Sequence, residues 1–440
     1  MGVARLRRLC LVIVLAVLAA LLGPVAAGEP SCTGSGPNLR YVVLFAPETS
    51  GADAGAETSD RCGTLAAYYQ PIGVGVVDSA DPRFAQLIGG ERAYSAEGAV
   101  REDGGASGFG GELAADPQWN AEAVRAPEAR AVTRGSPDVV VGVLDSAVDH
   151  EHPELAAAFD PARSADCLTP EQPAWTPRTR GAAHGTHVAG IIAAADDGLG
   201  STGIAPGVRV ASVRVVDEEG YVHPEYAVCG FMWAADHGIR VVNSSFLVES
   251  AQQGCTGSGS PVPREALRRA VGHATGEGVL TVAAAGNDQL DLAAGRRPNC
   301  ATVPAGLEDV IGVSAVSPDQ VKAGYSSYGL GVVDVAAPGG DVRTGCVLST
   351  VPGGGYDTAC GTSMAAPHAS GVAALLASRH PSAGPRELAE LLAQQAKPLG
   401  CPADYDLNAD TSQDALCRGF ATYNGFYGHG LVDAYRAATG

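Results

Sequence analysis

With 440 residues and a formal net charge of −19, the chain has room for one large core plus a small accessory domain; its acidity argues against a nucleic-acid or anionic-membrane partner. Of its eleven cysteines, all but Cys10 lie beyond residue 27. No two have the CxxC spacing of a zinc site, so disulfides in an exported chain are expected.

Arg5, Arg7 and Arg8 precede an apolar run over 9–22 and the small-residue triplet Val25-Ala26-Ala27. This is the pattern of a signal peptide cut after Ala27. The run is shorter than the roughly 20 residues of a bilayer span, so an uncleaved anchor is the lesser reading. The mature chain is expected to be secreted, soluble, monomeric and without stable membrane association.

Residues 28–97 carry a pattern of their own: a strand-like run at 41–45, a segment at 65–69 and a second run at 72–77. Residues 98–116, rich in Gly, Ala and acidic side chains in their first part, read as a linker, and the domain boundary is placed there. The competing reading makes the early strands the start of the main domain.

From Trp119 onward, apolar runs without alternation (139–144, 208–215, 241–244, 279–284, 310–316 and 332–336) are separated by helical stretches at 190–195, 225–237 and 264–277. Helices at 369–378 and 385–396 follow. Such runs are strands of a parallel sheet buried on both faces, hence an α/β sandwich with its site at the carboxyl ends of the strands. Asp145 directly ends the first run. Pairing neighbouring cysteines joins Cys255 with Cys300, Cys346 with Cys360 and Cys401 with Cys417, leaving Cys167 with Cys229; Cys32 and Cys62 lie in the N-terminal part.

Three segments carry chemistry. Gly361-Thr362-Ser363-Met364-Ala365-Ala366-Pro367-His368 sets a serine at the start of a helix, Val139 to Asp145 ends in a carboxylate, and His184-Gly185-Thr186-His187-Val188-Ala189-Gly190 supplies imidazoles. A serine hydroxyl attacks only when a neighbouring imidazole takes its proton, and a carboxylate must fix the tautomer and charge of that imidazole. Asp145, His184 and Ser363 can fill these roles. Taken singly, each has a bland reading as a turn, core or N-cap residue.

On these motifs, together with His152-Pro153-Glu154-Leu155, residues 119–435 resemble the subtilisin-like serine peptidases. The resemblance implies a three-layer sandwich around a central parallel sheet, preceded by a small α+β propeptide. It also implies a secreted endopeptidase made as a zymogen, hydrolysing polypeptides through an acyl-enzyme and inhibited by its own propeptide. His184 becomes the base and His187 a structural residue. Ala283-Ala284-Ala285-Gly286-Asn287 resembles the family's oxyanion segment, with Asn287 as donor. Ser245, Phe246, Leu247, Ala284, Ala285 and Gly286 become substrate-binding. Phe109 is one candidate cut point between propeptide and enzyme.

No cofactor is implied for the chemistry. The loop 193–206 has the form of a calcium loop, with carboxylates from Glu154 and Asp197; an ordinary solvated turn is the equal alternative. The acidic stretch 404–410 lacks a calcium loop's glycine and reads as a surface loop. Related acid-acting peptidases with a Glu, Asp, Ser set keep the Gly-Thr-Ser turn, but the full His184 motif separates this chain from them. Two departures stand out: Ala147 where the family has glycine, and Phe246-Leu247-Val248 where it has leucine and glycines. They motivate an alternative, a pseudopeptidase or binding protein on the same fold, and they put the specificity pocket in question.

Overall fold

The computed structural model describes residues 32–96, 109–110, 116–177, 181–248, 260–294 and 302–440. The expected signal segment, most of the linker and the expected Cys255–Cys300 pair lie outside the described residues. The other disulfides, Cys32–Cys62, Cys167–Cys229, Cys346–Cys360 and Cys401–Cys417, are formed. Among the described residues no helix is long and apolar enough to cross a membrane.

The N-terminal unit is a four-stranded antiparallel sheet of β1 (Leu39–Leu44), β2 (Thr64–Tyr69), β3 (Val74–Ser79) and β4 (Ala93–Tyr94), ordered β2-β3-β1-β4, with helix α1 (Gly51–Asp60). Alternation along β1 sends Tyr41, Val43 and Phe45 into a core of its own with Ala54 and Phe84. Val42, with Ile72 and Val74, joins the core of the larger domain instead.

The larger domain is built on seven parallel strands: β5 (Val140–Asp145), β6 (Ala165–Asp166), β7 (Arg209–Arg214), β8 (Val241–Ser244), β9 (Leu280–Ala284), β10 (Val310–Val316) and β11 (Val335–Pro338). Their order is β11-β10-β9-β8-β5-β7-β6. Val141 and Val143 of β5 pack on one side and Val140 and Leu144 on the other, so the strand is apolar throughout because both faces are covered. One face carries α2 (Ala183–Ala193) and the nearly buried α5 (Thr362–Arg379), with α6 (Pro385–Gln395) beside it. The other carries α3 (Pro224–Asp236) and α4 (Val262–Gly276), and it is onto these two that the N-terminal sheet docks. Arg269 of α4 donates to the carbonyls of Phe45 at 2.8 Å and Ile72 at 3.1 Å, and Arg40 pairs with Glu171. A hairpin of β12 (Val347–Val351) and β13 (Gly355–Ala359) precedes α5.

The helices begin earlier than their apolar runs suggest. The helix expected over 190–195 spans Ala183–Ala193 and takes in His184, and the one expected from 369 begins at Thr362. The strands on either side of β5 are β7 and β8, so the chain reverses its winding there and the crevice opens at the carboxyl end of β5.

A buried cation ties the C-terminal part to the sheet. The ammonium of Lys322 donates to the carbonyls of Ala323 at 2.9 Å and Ser326 at 2.8 Å, and lies 5.1–5.4 Å from the ring centroids of Tyr328, Tyr405 and Phe426. Burial pushes this amine down to about 7, against the pull of Asp341 and Asp414. An unfolded lysine titrates near 10.4. Between these values the unfolded chain holds a proton that the folded chain does not, so this group makes stability rise with pH over that window. In urea unfolding at pH 7 and pH 9, the midpoint of the natural chain should rise relative to that of Lys322→Met; equal changes in both chains would count against the assignment.

Candidate active site

Asp145 closes β5 and is wholly buried. Its Oδ1 accepts from Nδ1 of His184 at 2.7 Å and from the Ser146 amide at 2.7 Å. His184 lies in the first turn of α2. Burial pushes its imidazole down, but the charge and hydrogen bond of Asp145 outweigh this and hold its pKa above the usual histidine value. The neighbouring motif residues bring this turn close. A Cβ on Gly185 would lie 2.6 Å from the carbonyl oxygen of Ser146 and 2.7 Å from that of Ala147, so only glycine fits there. The Gly185 amide donates to Ser146 Oγ at 2.9 Å. Ala147 itself is buried with φ outside the left-handed region, so its methyl adds no backbone strain.

His187 faces the hairpin. Its Nε2 lies 3.1 Å from the carbonyls of both Val347 and Asp357, and burial, with the nearby His184, pushes its pKa down to about 3. It is a neutral donor that pins β12 and β13. Gly190 completes the contact, since a Cβ there would overlap the hydroxyls of Ser349 and Thr350.

Ser363 stands in the first turn of α5. Pro367 lies inside this helix and has no N–H to give the carbonyl four residues earlier, which is that of Ser363. Ser245 Oγ donates to that carbonyl instead, at 2.8 Å, and Ser363 Oγ donates to the Ser245 carbonyl at 3.1 Å. Ser245 is fixed in turn by Asn243, whose Nδ2 donates to Ser245 Oγ at 2.9 Å and whose Oδ1 accepts from Ser370 Oγ at 2.9 Å. The Ser363 hydroxyl is thus directed at Ser245 and, among the described residues, makes no hydrogen bond to His184. Catalytic hydrogen bonds commonly close only with substrate present.

Asn287 follows β9. Its Oδ1 accepts from both the amide and the hydroxyl of Thr362, each at 2.9 Å, and Thr362 Oγ1 accepts from the Gly286 amide at 3.1 Å. These donors fix the orientation of the carboxamide, and among the described residues its Nδ2–H donates to none; it lies beside the first turn of α5, where backbone N–H groups also favour negative charge. Thr362, Asn243, Ser370 and Pro367 are the functional supports that sequence reasoning missed. The proline inside an apolar helix was the available signal.

Of the three bulky residues after Ser245, Phe246 and Val248 are buried in the core with α3 and α4. Phe246, expected at the substrate, therefore sits in the core. Leu247 is half-buried, and its Cδ1 lies 3.2 Å from where a Cβ on Gly286 would stand. The Val248 amide donates to the Val303 carbonyl at 3.0 Å and so anchors the segment. Ala284 and Ala285 are buried.

Glu154 and Asp197, the carboxylates expected at calcium, each accept from a donor of the protein. Glu154 is buried, and its Oε1 accepts from the Tyr356 hydroxyl at 2.6 Å. Asp197 is exposed, with Oδ1 accepting from the Leu199 amide in its own turn at 2.9 Å. Among the described residues no three His, Cys, Asp or Glu side chains converge as a metal site.

Residues 136–430 match the subtilase family over two thirds of the chain. The chain belongs to the subtilases. This subtilase is 32% identical over 295 residues to Subtilisin NAT of Bacillus subtilis subsp. natto, covering 66% of this chain and 68% of that protein. It is 33% identical over 317 residues to Fervidolysin of Fervidobacterium pennivorans, covering 65% of this chain and 41% of that one. In three dimensions it is similar to the epidermin leader peptide processing serine protease of Staphylococcus aureus, with a TM-score of 0.71 at 19% identity over 91% of this chain and 98% of that one, a likeness of fold. It is also similar to a lanthipeptide protease, with a TM-score of 0.58 at 27% identity over 73% and 93% of the two chains. The subtilase is a serine endopeptidase that hydrolyses peptide bonds of polypeptides and needs no cofactor for the reaction.

Proposed function

We propose that the chain is a secreted zymogen in which Ser363 is the nucleophile, His184 the base and Asp145 its orienting carboxylate, with Asn287 and the Ser363 amide as oxyanion donors. The observation that carries this reading is the 2.7 Å bond from Asp145 to His184 at the sheet's switch point, beside a helix whose first turn bears Ser363. His184 Nε2 takes the proton of Ser363 Oγ as the oxygen attacks the substrate carbonyl. The Asn287 Nδ2–H and Ser363 N–H groups then stabilise the tetrahedral oxyanion; removing one such donor costs about 2.7–4 kcal/mol. The imidazolium returns its proton to the leaving amine, and an acyl-Ser363 remains. Water, deprotonated by His184, releases the acid and restores the enzyme. The alternative of an inactive binding protein loses one of its two motives, because Ala147 is accommodated without backbone strain.

Residues 28–97 act in this proposal as the inhibitory propeptide, supported by the docking of their sheet on α3 and α4 and by the Arg269 bonds. Phe109 pairs with Ala359 at the edge of β13, the Gly110 amide donates to the Thr358 carbonyl at 3.0 Å, and the Phe109 ring lies 5.8 Å from His187. A bond already held in a sheet is a poor place to cut, so maturation is assigned to residues 98–108 and Phe109 stays with the enzyme. N-terminal sequencing of exported protein tests this. The natural chain should begin within 99–109, whereas Ser363→Ala should retain residue 28 as its first; identical N-termini in both chains would remove self-maturation. The mature enzyme is proposed to act as a monomer.

Leu247 sets specificity in the same reading. Ser245 bonds Ser363 and Gly286 bonds Thr362, and Leu247 Cδ1 lies 3.2 Å from where a Cβ on Gly286 would stand, so Leu247 is assigned the role of restricting the side chain preceding the scissile bond. Peptides with Ala at that place should be cleaved at least about tenfold more efficiently than those with Phe, and Leu247→Gly should raise kcat/KM for Phe by roughly 10- to 100-fold, the worth of burying such a side chain. An unchanged Phe-to-Ala ratio would remove Leu247 from that role.

A further inference from the structure

The loop that resembles a calcium loop is held by a tyrosine. Tyr356 of β13 places its hydroxyl 2.6 Å from Oε1 of the buried Glu154, and its ring stands edge-on to His152, with centroids 5.6 Å apart. His152 Nε2 in turn lies 2.9 Å from the Gly355 carbonyl, so the hairpin is fastened to the 152–154 turn at two adjacent residues. On its other side the ring packs against Gly200, where φ is +48° and any Cβ would overlap the ring. The loop is joined to the same turn through its backbone, the Ala195 amide donating to the Glu154 carbonyl at 3.0 Å.

A calcium ion takes six to eight oxygens and turns its carboxylates toward itself. Here one oxygen of the buried carboxylate is turned to a phenol, while its Oε2 and the Ser201 hydroxyl are buried without a partner among the described residues; Asp197 serves its own turn, and the loop glycine is shaped to the ring. A hydroxyl bonded to a buried carboxylate is a strong, charge-assisted bond, and it satisfies Oε1 with a proton donor that a cation would have to displace. We propose that Tyr356 takes the place of a structural cation in this chain: its hydroxyl bonds Glu154 and its ring packs on Gly200, holding the 195–203 loop without metal.

Full-length Ser363→Ala protein, chosen so that self-digestion does not intrude, is unfolded thermally in EDTA and in millimolar calcium, with hydrogen exchange followed at amides 195–203. The expected midpoint is the same in both media. Tyr356→Phe should lower it by about 2–4 °C in both and speed exchange in the loop, as the loss of one part-buried bond to a buried carboxylate in a domain of this size implies. Glu154→Gln keeps an oxygen to accept the phenol's proton and should retain the slow exchange. A midpoint raised by calcium and made calcium-insensitive by Glu154→Gln would overturn the proposal, as would a Tyr356→Phe chain with unchanged midpoint and exchange.

Discussion

Peptide hydrolysis by the matured enzyme is expected to fall about a millionfold in kcat when Ser363 is replaced by alanine, with KM little changed. The size of the loss follows from the site. Ser363 is the hydroxyl in the first turn of α5, with the Asn287 amide fixed beside it by Thr362 and His184 held by Asp145. Without Oγ no acyl-enzyme forms. The oxyanion donors remain and leave a residual rate, so the substitution does not reduce the site to bulk water. The side chain removed is small, and the carbonyl of residue 363 keeps its bond from Ser245 Oγ, so the fold should be unaffected. Burst and steady-state kinetics on a fluorogenic peptide, with thermal unfolding as the control, read this result. A loss of less than a thousandfold would mean another nucleophile acts.

Asp145→Asn should cost about ten-thousandfold in kcat near neutral pH while preserving the geometry. An amide can donate to Nδ1 of His184, which places the proton on Nε2, where it faces the nucleophile and cannot accept from it. The pH profile gives an independent sign. In the natural enzyme Asp145 holds the His184 pKa up, so activity, which needs neutral imidazole, should rise along a limb displaced above the usual histidine value of about 6.5. With the carboxylate gone, burial alone acts on the imidazole, and the limb should move to lower pH. A limb that stays in place would show that Asp145 does not set the titration of His184.

The residues proposed for the chemistry could be read in the sequence because the reaction demands particular side chains at particular strand and helix ends. Asp145 closes an apolar run, and His184 and Ser363 sit in motifs whose glycines are explained by close approach: Gly185 to Ser146 and Ala147, Gly190 to Ser349 and Thr350. The parallel sheet was legible from runs such as 139–144, apolar at successive residues because both faces are covered. The supports were not. Ser245 and Ser363 exchange hydrogen bonds across 118 residues, and Tyr356 reaches Glu154 across 202. Nothing in local pattern encodes such pairings. Phe246 and Leu247 are both bulky and apolar, yet one is core and the other half-buried beside Gly286. The apolar run over 369–378 marks only the later part of α5, whose second turn holds Pro367; there it frees a single carbonyl that Ser245 satisfies.

The central claim is that Ser363 is a nucleophile made reactive by His184 and Asp145. Treatment of the matured enzyme with a fluorophosphonate, followed by intact mass and peptide mapping, tests it most directly. One adduct per chain on Ser363, absent from Ser363→Ala and formed far more slowly in Asp145→Asn, is the predicted result; no adduct, or an adduct on any other residue, would contradict it.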